Sequence, residues 1–384
     1  MELKHYNIPL EALSENEKLD WLRLIRTEHV GPVTFYQLLA RFGSAGKALE
    51  ALPELSRRGG RAKALTPSSA VEAEREIKAL GKLGGRIITA ACADYPLALA
   101  AIDDAPPVLS ILGKAELLNR PCVGIVGARN ASLNGRKFAE KLAHDLGQRG
   151  FAVASGLARG IDTAAHQGSL ETGTIAVVAG GIDVIYPEEN SALYTQIVEH
   201  GAIVAESKFG QKPFAQSFPR RNRIVSGLSQ GVVVVEATTR SGSLITARLA
   251  GEQGRDVYAV PGSPLDPRAA GPNHLIREGA ILIRNADDVL ETLTRFSGDG
   301  LRAPLPPSSA PPLSPGMEEP PGEQDHETVL SHLSFSPINI DELIRACHLT
   351  VSAVHTVLLE MELAGRVRRL PGNRVSLVSG DEDY

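Results

Sequence analysis

The spacing of apolar positions changes character three times along the chain. Up to about residue 85, apolar residues recur at helical spacing in short runs, "LDWLRLIRTE", "TFYQLLARFG" and "GKALEAL", with Gly/Pro punctuation such as "HVGPV" between them. These predict a small all-helical domain over 1–85. From "RIITA" onward the pattern becomes short apolar runs: "PVLSILG", "CVGIVGA", "FAVASG", "TIAVVAG", "AIVAES", "GVVVVEA", "DVYAVPG" and "AILI". Stretches of helical period such as "GRKFAEKLAHDLGQRG" and "IDTAAHQGSLETG" separate most of them. Val/Ile runs without polar alternation belong to strands covered on both faces. Residues 86–297 are therefore expected to form an α/β domain with a Rossmann-like, doubly wound, mostly parallel sheet.

In "GDGLRAPLPPSSAPPLSPGMEEPPGEQ", which opens at residue 298, proline, serine and glycine replace any apolar period. This predicts an extended linker over 298–322. Residues 323–384 then give three helical segments and two short strands around "LPGN", the order of a winged helix.

Composition narrows the function classes only a little. The chain has 384 residues, 43% of them hydrophobic and 22% charged, the range of a globular protein with a sizeable core. A formal charge of -5 excludes a uniformly basic coat but not a local cationic patch. Cys92, Cys122 and Cys347 are far apart and odd in number, so they predict reduced thiols and neither a disulfide framework nor a metal site. No apolar run has the length of a membrane span and the N-terminus lacks an apolar signal core, which predicts a cytoplasmic protein.

The candidate chemistry lies where strands end. In open α/β sheets, ligands bind beyond the carboxyl ends of the strands. Here those ends read Gly127-Ala128-Arg129, then Ser155-Gly156-Leu157-Ala158-Arg159-Gly160, then Gly180-Gly181-Ile182-Asp183, then Arg240-Ser241-Gly242-Ser243, then Pro261-Gly262-Ser263. Glycine permits close backbone approach; exposed amides and serine hydroxyls can donate to phosphate, and Arg129, Arg159 and Arg240 can add forked contacts. The first turn, "GIVGARNAS", lacks the G-x-G-x-x-G of a dinucleotide site, the second strand ends without a carboxylate, and no segment reads as a P-loop. Repeated anion-binding features along one edge suit a polymer of phosphates, and single-stranded nucleic acid is expected before duplex. Few aromatics, 4% of the chain, suggest limited stacking and mainly backbone contacts.

Around these sites, Asp162 and His166, four apart on one helix, are expected to be structural: Asp162 as a helix cap or an orienter of Arg159, and His166 packed beneath the loop. Asn222 is expected to fix a loop, Asn190 to cap a helix, and Arg220 to be a solvated bystander. In "HVGPV" Pro32 removes an amide from what resembles a helix-hairpin-helix turn. The recognition-helix position of the winged helix, "TVSAVHTVLLEMEL", has no lysine or arginine and two glutamates, which argues against sequence-specific groove reading and leaves a protein-contact role open. Arg366, Arg368, Arg369 and Arg374 of the wing could touch a phosphate backbone.

"GIVGARNASLNG", "ASGLARGIDTAAH", "GGIDVIYPEEN", "FPRRNRIVSGLS", "SGSLITARLAGEQGRDVYAVPG" and "GPNHLIREGA" strongly resemble the bacterial DNA processing protein A family (DprA, also called Smf). The resemblance covers the whole central domain in order. It implies a Rossmann-like, self-associating, non-enzymatic protein without cofactor or metal, forming a homodimer that binds and protects incoming single-stranded DNA in natural transformation and loads the RecA recombinase. The implied DNA pocket uses Gly127, Arg129, Ser155, Gly156, Arg159, Arg221, Arg223, Ser241, Gly242 and Ser243. Arg240 stands where the family commonly has lysine, and Ser191-Ala192 where another lysine is common. Two other classes stay open. One is a nucleotide phosphoribohydrolase, whose "PGGxGTxxE" glutamate is replaced here by the Ala247-Arg248 region; the other is a regulator acting through the winged helix.

Overall fold

Strand β1 (Glu2–Leu3) pairs with β2 (Ile8–Pro9) at the start of the chain in the computed structural model, which describes residues 2–3, 8–9, 13–297, 321–370 and 372–378. Of the expected linker, only Pro321 and Gly322 lie among the described residues. Helices α1 (Glu15–Ile25), α2 (Pro32–Phe42) and α3 (Ala45–Arg58) follow. Each start has a local cause: Ser14 accepts from the Glu17 amide in a capping box, Pro32 occupies the first turn of α2, and Ser44 accepts from the Lys47 amide. Trp21 and Phe35 meet edge to face with centroids 5.0 Å apart in the core of these helices.

Apart from the short β1 and β2, the described residues form two compact units, one over 75–297 and the other joining 13–74 to 321–370 and 372–378. Helix α4 (Ala70–Lys82) crosses the division. Its Leu80 is buried in the sheet unit with Leu112, Ile197 and Ile203, and the Glu76 carboxylate accepts from the Phe209 amide at 3.3 Å.

The sheet unit contains β3 (Arg86–Thr89), α5 (Leu97–Ala100), β4 (Val108–Gly113), β5 (Cys122–Val126), α6 (Leu133–Gln148), β6 (Ala152–Ser155), α7 (Ile161–Ser169), β7 (Thr174–Val178), α8 (Ser191–His200), β8 (Ala202–Ala205), α9 (Ser217–Leu228), β9 (Gly231–Val234), α10 (Gly242–Glu252), β10 (Asp256–Ala259), α11 (Ala270–Arg277), β11 (Ile281–Leu282) and α12 (Ala286–Ser297). Nine strands form one sheet in the order β11-β10-β9-β5-β6-β7-β8-β4-β3. Only β4 in this sheet runs against its neighbours, so the doubly wound, mostly parallel expectation holds. Both faces of the inner strands are buried, because helices cover each: Val123, Val153 and Val233 pack with Leu142 and Leu146, while Ala176, Val178 and Ile203 pack with Leu193 and Ile197. Each Val, Leu or Ile among them contributes about 1.5–3 kcal/mol by leaving water. Chain order reverses between β5 and β9, which are adjacent and parallel; this is the switch point where open α/β sheets commonly bind ligands.

In the other unit, α13 (Glu323–Ser331), β12 (Ile338–Asn339), α14 (Ile340–Cys347), α15 (Val351–Leu363), β13 (Val367–Leu370) and β14 (Arg374–Leu377) form the winged helix. Val329, Leu343, Val354, Leu358, Met361 and Val375 form its core. The short β12, which completes a three-stranded sheet in the order β12-β14-β13, has too few residues to leave a period in the sequence. Among the described residues no single helix is long and apolar enough to cross a membrane, and no group of three or more His, Cys, Asp or Glu side chains is arranged to hold a metal ion.

Candidate nucleic-acid interface

The turn after β6 is held from beneath. Asp162, buried at the start of α7, accepts from the amides of Gly156 at 3.1 Å and Ala158 at 3.3 Å. The amide between them, Leu157, donates to His166 Nε2 at 3.3 Å. That fixes the tautomer: Nδ1 carries the proton and meets Thr174 Oγ1 at 2.7 Å. Burial, with Arg221 nearby, lowers the His166 pKa to about 3, so the ring is neutral at physiological pH. Asn190 Nδ2 donates to the Leu157 carbonyl at 2.9 Å, holding Leu157 at φ 56°. The expected cradle of outward-facing amides is thus corrected at this turn: Gly156, Leu157 and Ala158 donate inward. Asp162 is a receiver of loop amides, not an orienter of Arg159, and Asn190 braces the loop without a side-chain cap bond to α8. His166 lies beneath the loop as expected.

Helix α9 carries "RRNR" and sorts its arginines by register. Ser217, Ile224, Val225 and Leu228 form its inward stripe, and Arg221, four residues after Ser217, falls on the same stripe. Arg221 is accordingly buried, and its Nη1 donates to the Val177 carbonyl at 2.7 Å. Burial lowers its pKa to about 10 while Asp162 opposes the shift, so it remains charged. Arg223 is buried on the other flank, where Nε lies 3.2 Å from Asp104 Oδ2 and Nη2 donates to Glu206 Oε1. Two carboxylates consume its charge. The geometry of Arg223, expected as a contact, is that of a brace between α9, the end of β8 and the 104 loop. Arg220 is exposed, and Asn222 Nδ2 reaches the Gly242 carbonyl at 3.3 Å, tying α9 to the start of α10.

Above Arg221 opens a cavity of about 250 Å³. Arg129 and Arg159 form its rim, Gly156 and Arg221 its floor, and Tyr186, Pro213 and Phe218 its wall, with no carboxylate in the lining. The Arg129 guanidinium lies over the Phe218 ring, 5.2 Å from its centroid, and the Tyr186 ring is 5.6 Å from that of Phe218. Arg159 Nε is 3.4 Å from Glu189 Oε1, but both side chains are more than half exposed; such a pair is weak and yields readily to a phosphate. Tyr186 and Phe218 were not singled out from sequence. Their signal is local, an aromatic before proline in "YP" and "FP", and is hidden in the low aromatic content of the whole chain.

Other expected site residues serve the scaffold. Ser155 is fully buried and its Oγ donates to the Ile125 carbonyl at 2.6 Å. A Cβ on Gly127 would lie 2.6 Å from Ile161 Cγ1 and 2.9 Å from the Glu236 carbonyl, so glycine is required there for packing. Ser241 caps α10 by accepting from the Ser243 amide at 3.4 Å, and Ser243 is buried. Arg240 is exposed beside this turn and, with Ser241, Gly242 and Ser243, stays outside the cavity lining. The switch point itself is filled. Glu236 accepts from the Ser132 amide at 2.8 Å and from its hydroxyl at 2.5 Å, so a carboxylate occupies the start of α6, where a dinucleotide's phosphates would meet the helix. The open cavity is displaced to the ends of β6 and β7. Drug-sized ligand pockets run to roughly 300–1,000 Å³, and this smaller cavity suits part of a ligand, the remainder lying along the rim.

These features define an open α/β protein with a cationic, aromatic-walled pocket at the carboxyl edge of its sheet. The sequence profile of DNA recombination-mediator protein A matches residues 86–294, and those of a DprA-like N-terminal HHH domain and a DprA winged helix domain match 15–79 and 306–373. The chain belongs to the DNA recombination-mediator protein A family. It is 32% identical to Protein Smf of Synechocystis sp. over 94% of this chain and 99% of that protein. The structure of DNA processing protein A from Streptococcus pneumoniae superposes with a TM-score of 0.59 at 32% identity, covering 73% of this chain and 98% of the other. DNA processing protein A from Helicobacter pylori, a structure described for its single-stranded DNA binding mode, gives a TM-score of 0.50 at 30% identity over 54% of this chain and 96% of the other.

Proposed function

We propose that this protein binds single-stranded DNA without catalysis, protects it, and acts in recombination by loading the RecA recombinase as a homodimer. The observation that carries the binding reading is the pocket: two exposed arginines and one buried arginine surround an aromatic wall, and no carboxylate lines the cavity. Guanidinium groups take phosphate oxygens in forked geometry, and an aromatic face stacks on any base, so the combination suits a strand read through its backbone. The single-stranded DNA binding mode described for the Helicobacter pylori relative supports this ligand class. Membership of a recombination-mediator family supports a role in recombination.

The proposed contacts are Arg129, Arg159, Arg221, Tyr186 and Phe218, with Arg240 and the Ser241-Gly242-Ser243 turn farther along the edge. Gly127, Ser155 and Gly156 shape the floor. The phosphoribohydrolase reading gains no support, because Ala247 and Arg248 supply no carboxylate and Glu236 is engaged by Ser132. Titration of a fluorescent oligothymidine tests the proposal: Arg129→Glu and Arg159→Glu should each weaken binding at least tenfold. Unchanged affinity in the double variant would overturn the pocket assignment.

A further inference from the structure

The helix at the recognition position of the winged helix is buried on both sides. Val354, Val357, Leu358 and Met361 share one face of α15 and belong to the winged-helix core. Leu359, Glu360 and Leu363 lie on the nearly opposite face, the one a winged helix would turn to a groove, and they are buried too, at 3%, 0% and 0% exposure. A helix apolar on both faces has a protein neighbour on both. The second neighbour is α3 of the helical domain, against which α15 packs.

The contact is specific and charged. Glu360 Oε2 accepts from His326 Nε2 of α13 at 2.7 Å, and Arg58 Nε of α3 stands 3.4 Å from Oε1. Arg58 also donates to the Pro321 carbonyl at 3.2 Å, fixing the chain as it enters α13. Backbones meet directly: a Cβ built on Gly59 would lie 1.9 Å from the Glu360 carbonyl oxygen, and Arg366 of the wing reaches the Gly59 carbonyl at 3.4 Å. At the far end, His29 of the "HVGPV" turn lies against Gly365, and Glu362 pairs with Arg369 at 3.2 Å.

We infer that the outward face of α15 is a docking surface for the chain's own helical domain, closed by Glu360, Arg58 and Gly59, and that protein contact rather than groove reading is the work of this helix. Both glutamates that make "LLEMEL" unsuited to DNA are then accounted for: Glu360 meets Arg58 across the dock, and Glu362 pairs with Arg369 of its own wing. The helix-hairpin-helix turn and the wing cover one another in the same closure.

The test uses the full chain with a protease site placed in the proline-rich linker. After cleavage, the winged-helix fragment of the wild-type chain should co-elute with the remainder on size exclusion. Gly59→Ala is the sharpest variant, because Gly59 has φ -68°, a conformation alanine adopts freely, so the added methyl acts only at the dock. Arg58→Glu disturbs the same contact from a part-exposed side chain. Each should raise the dissociation constant of the cut fragments at least tenfold, with circular dichroism unchanged; pairing Arg58→Glu with Glu360→Arg should recover retention. Separation of the cut wild-type fragments, or full retention in both single variants, would overturn the inference.

Discussion

The guanidinium of Arg221 lies close against the backbone of Gly156: a Cβ built there would be 1.8 Å from Nη1 and 2.4 Å from Cζ. The charged floor of the pocket and the turn after β6 are therefore one feature, and glycine at 156 is what lets the cation come up beneath the cavity. Gly156→Ala must displace a guanidinium already bonded to the Val177 carbonyl. Overpacking of this kind costs about 1–3 kcal/mol. The expected outcome is a stability lower by that amount, seen as a lower Tm in thermal melts, together with weaker oligothymidine binding by anisotropy.

Arg129 and Phe218 touch, yet they should fail differently. Loss of one phosphate contact lowers the slope of log affinity against log salt by about 0.7 for a single strand, so Arg129→Ala should bind more weakly with a shallower salt dependence. Phe218→Ala removes a stacking face worth about 1–3 kcal/mol per base. Its affinity should fall while its salt slope stays near wild type. Titrations at several salt concentrations separate the two; matching slopes in both variants would count against the division of roles.

Arg223 offers the control. Its guanidinium is buried between Asp104 and Glu206, and removing one member of such a pair typically costs about 3–5 kcal/mol. Because Asp104 is part-exposed, with 43% of its side chain accessible, the lower end of that range applies to Arg223→Met. The variant should unfold at lower denaturant while the salt slope of the folded protein is unchanged. A reduced slope would return Arg223 to the DNA contacts.

The strands and their order of burial were legible because apolar runs and glycine turns are local. "GVVVVEA" could be little other than an inner strand, and it is β9. Site roles were harder. Arg221 and Arg223 are two residues apart in one arginine-rich motif, but the use of each charge depends on residues far away in sequence: Val177 for one, Asp104 and Glu206 for the other. Register held part of the answer, since Arg221 shares the inward stripe of Ser217, Ile224 and Leu228. Phe218 and Tyr186 were missed because a count of aromatics cannot show that two of them converge. The winged-helix glutamates could be seen as ill suited to groove reading, but not their partners, which stand on α3 some three hundred residues earlier, on α13 and on β13.

The last prediction concerns acid. His166 is neutral because burial, reinforced by Arg221, lowers its pKa from 6.5 to about 3. Between those values the unfolded chain binds a proton that the folded chain refuses. The stability linked to this residue is thus fully present above pH 6.5 and is lost progressively as pH falls toward 3. His166→Gln keeps an acceptor for the Leu157 amide but has no proton to gain. From pH 7 to pH 5 the wild-type Tm should therefore fall more steeply than that of His166→Gln, and the two should run parallel above pH 7. Parallel curves throughout would show that the imidazole is not held neutral beneath the loop. Oligothymidine affinity of the folded wild-type chain should hold from pH 7 to pH 5 and weaken only as pH nears 3, where a protonated His166 can no longer accept from the Leu157 amide.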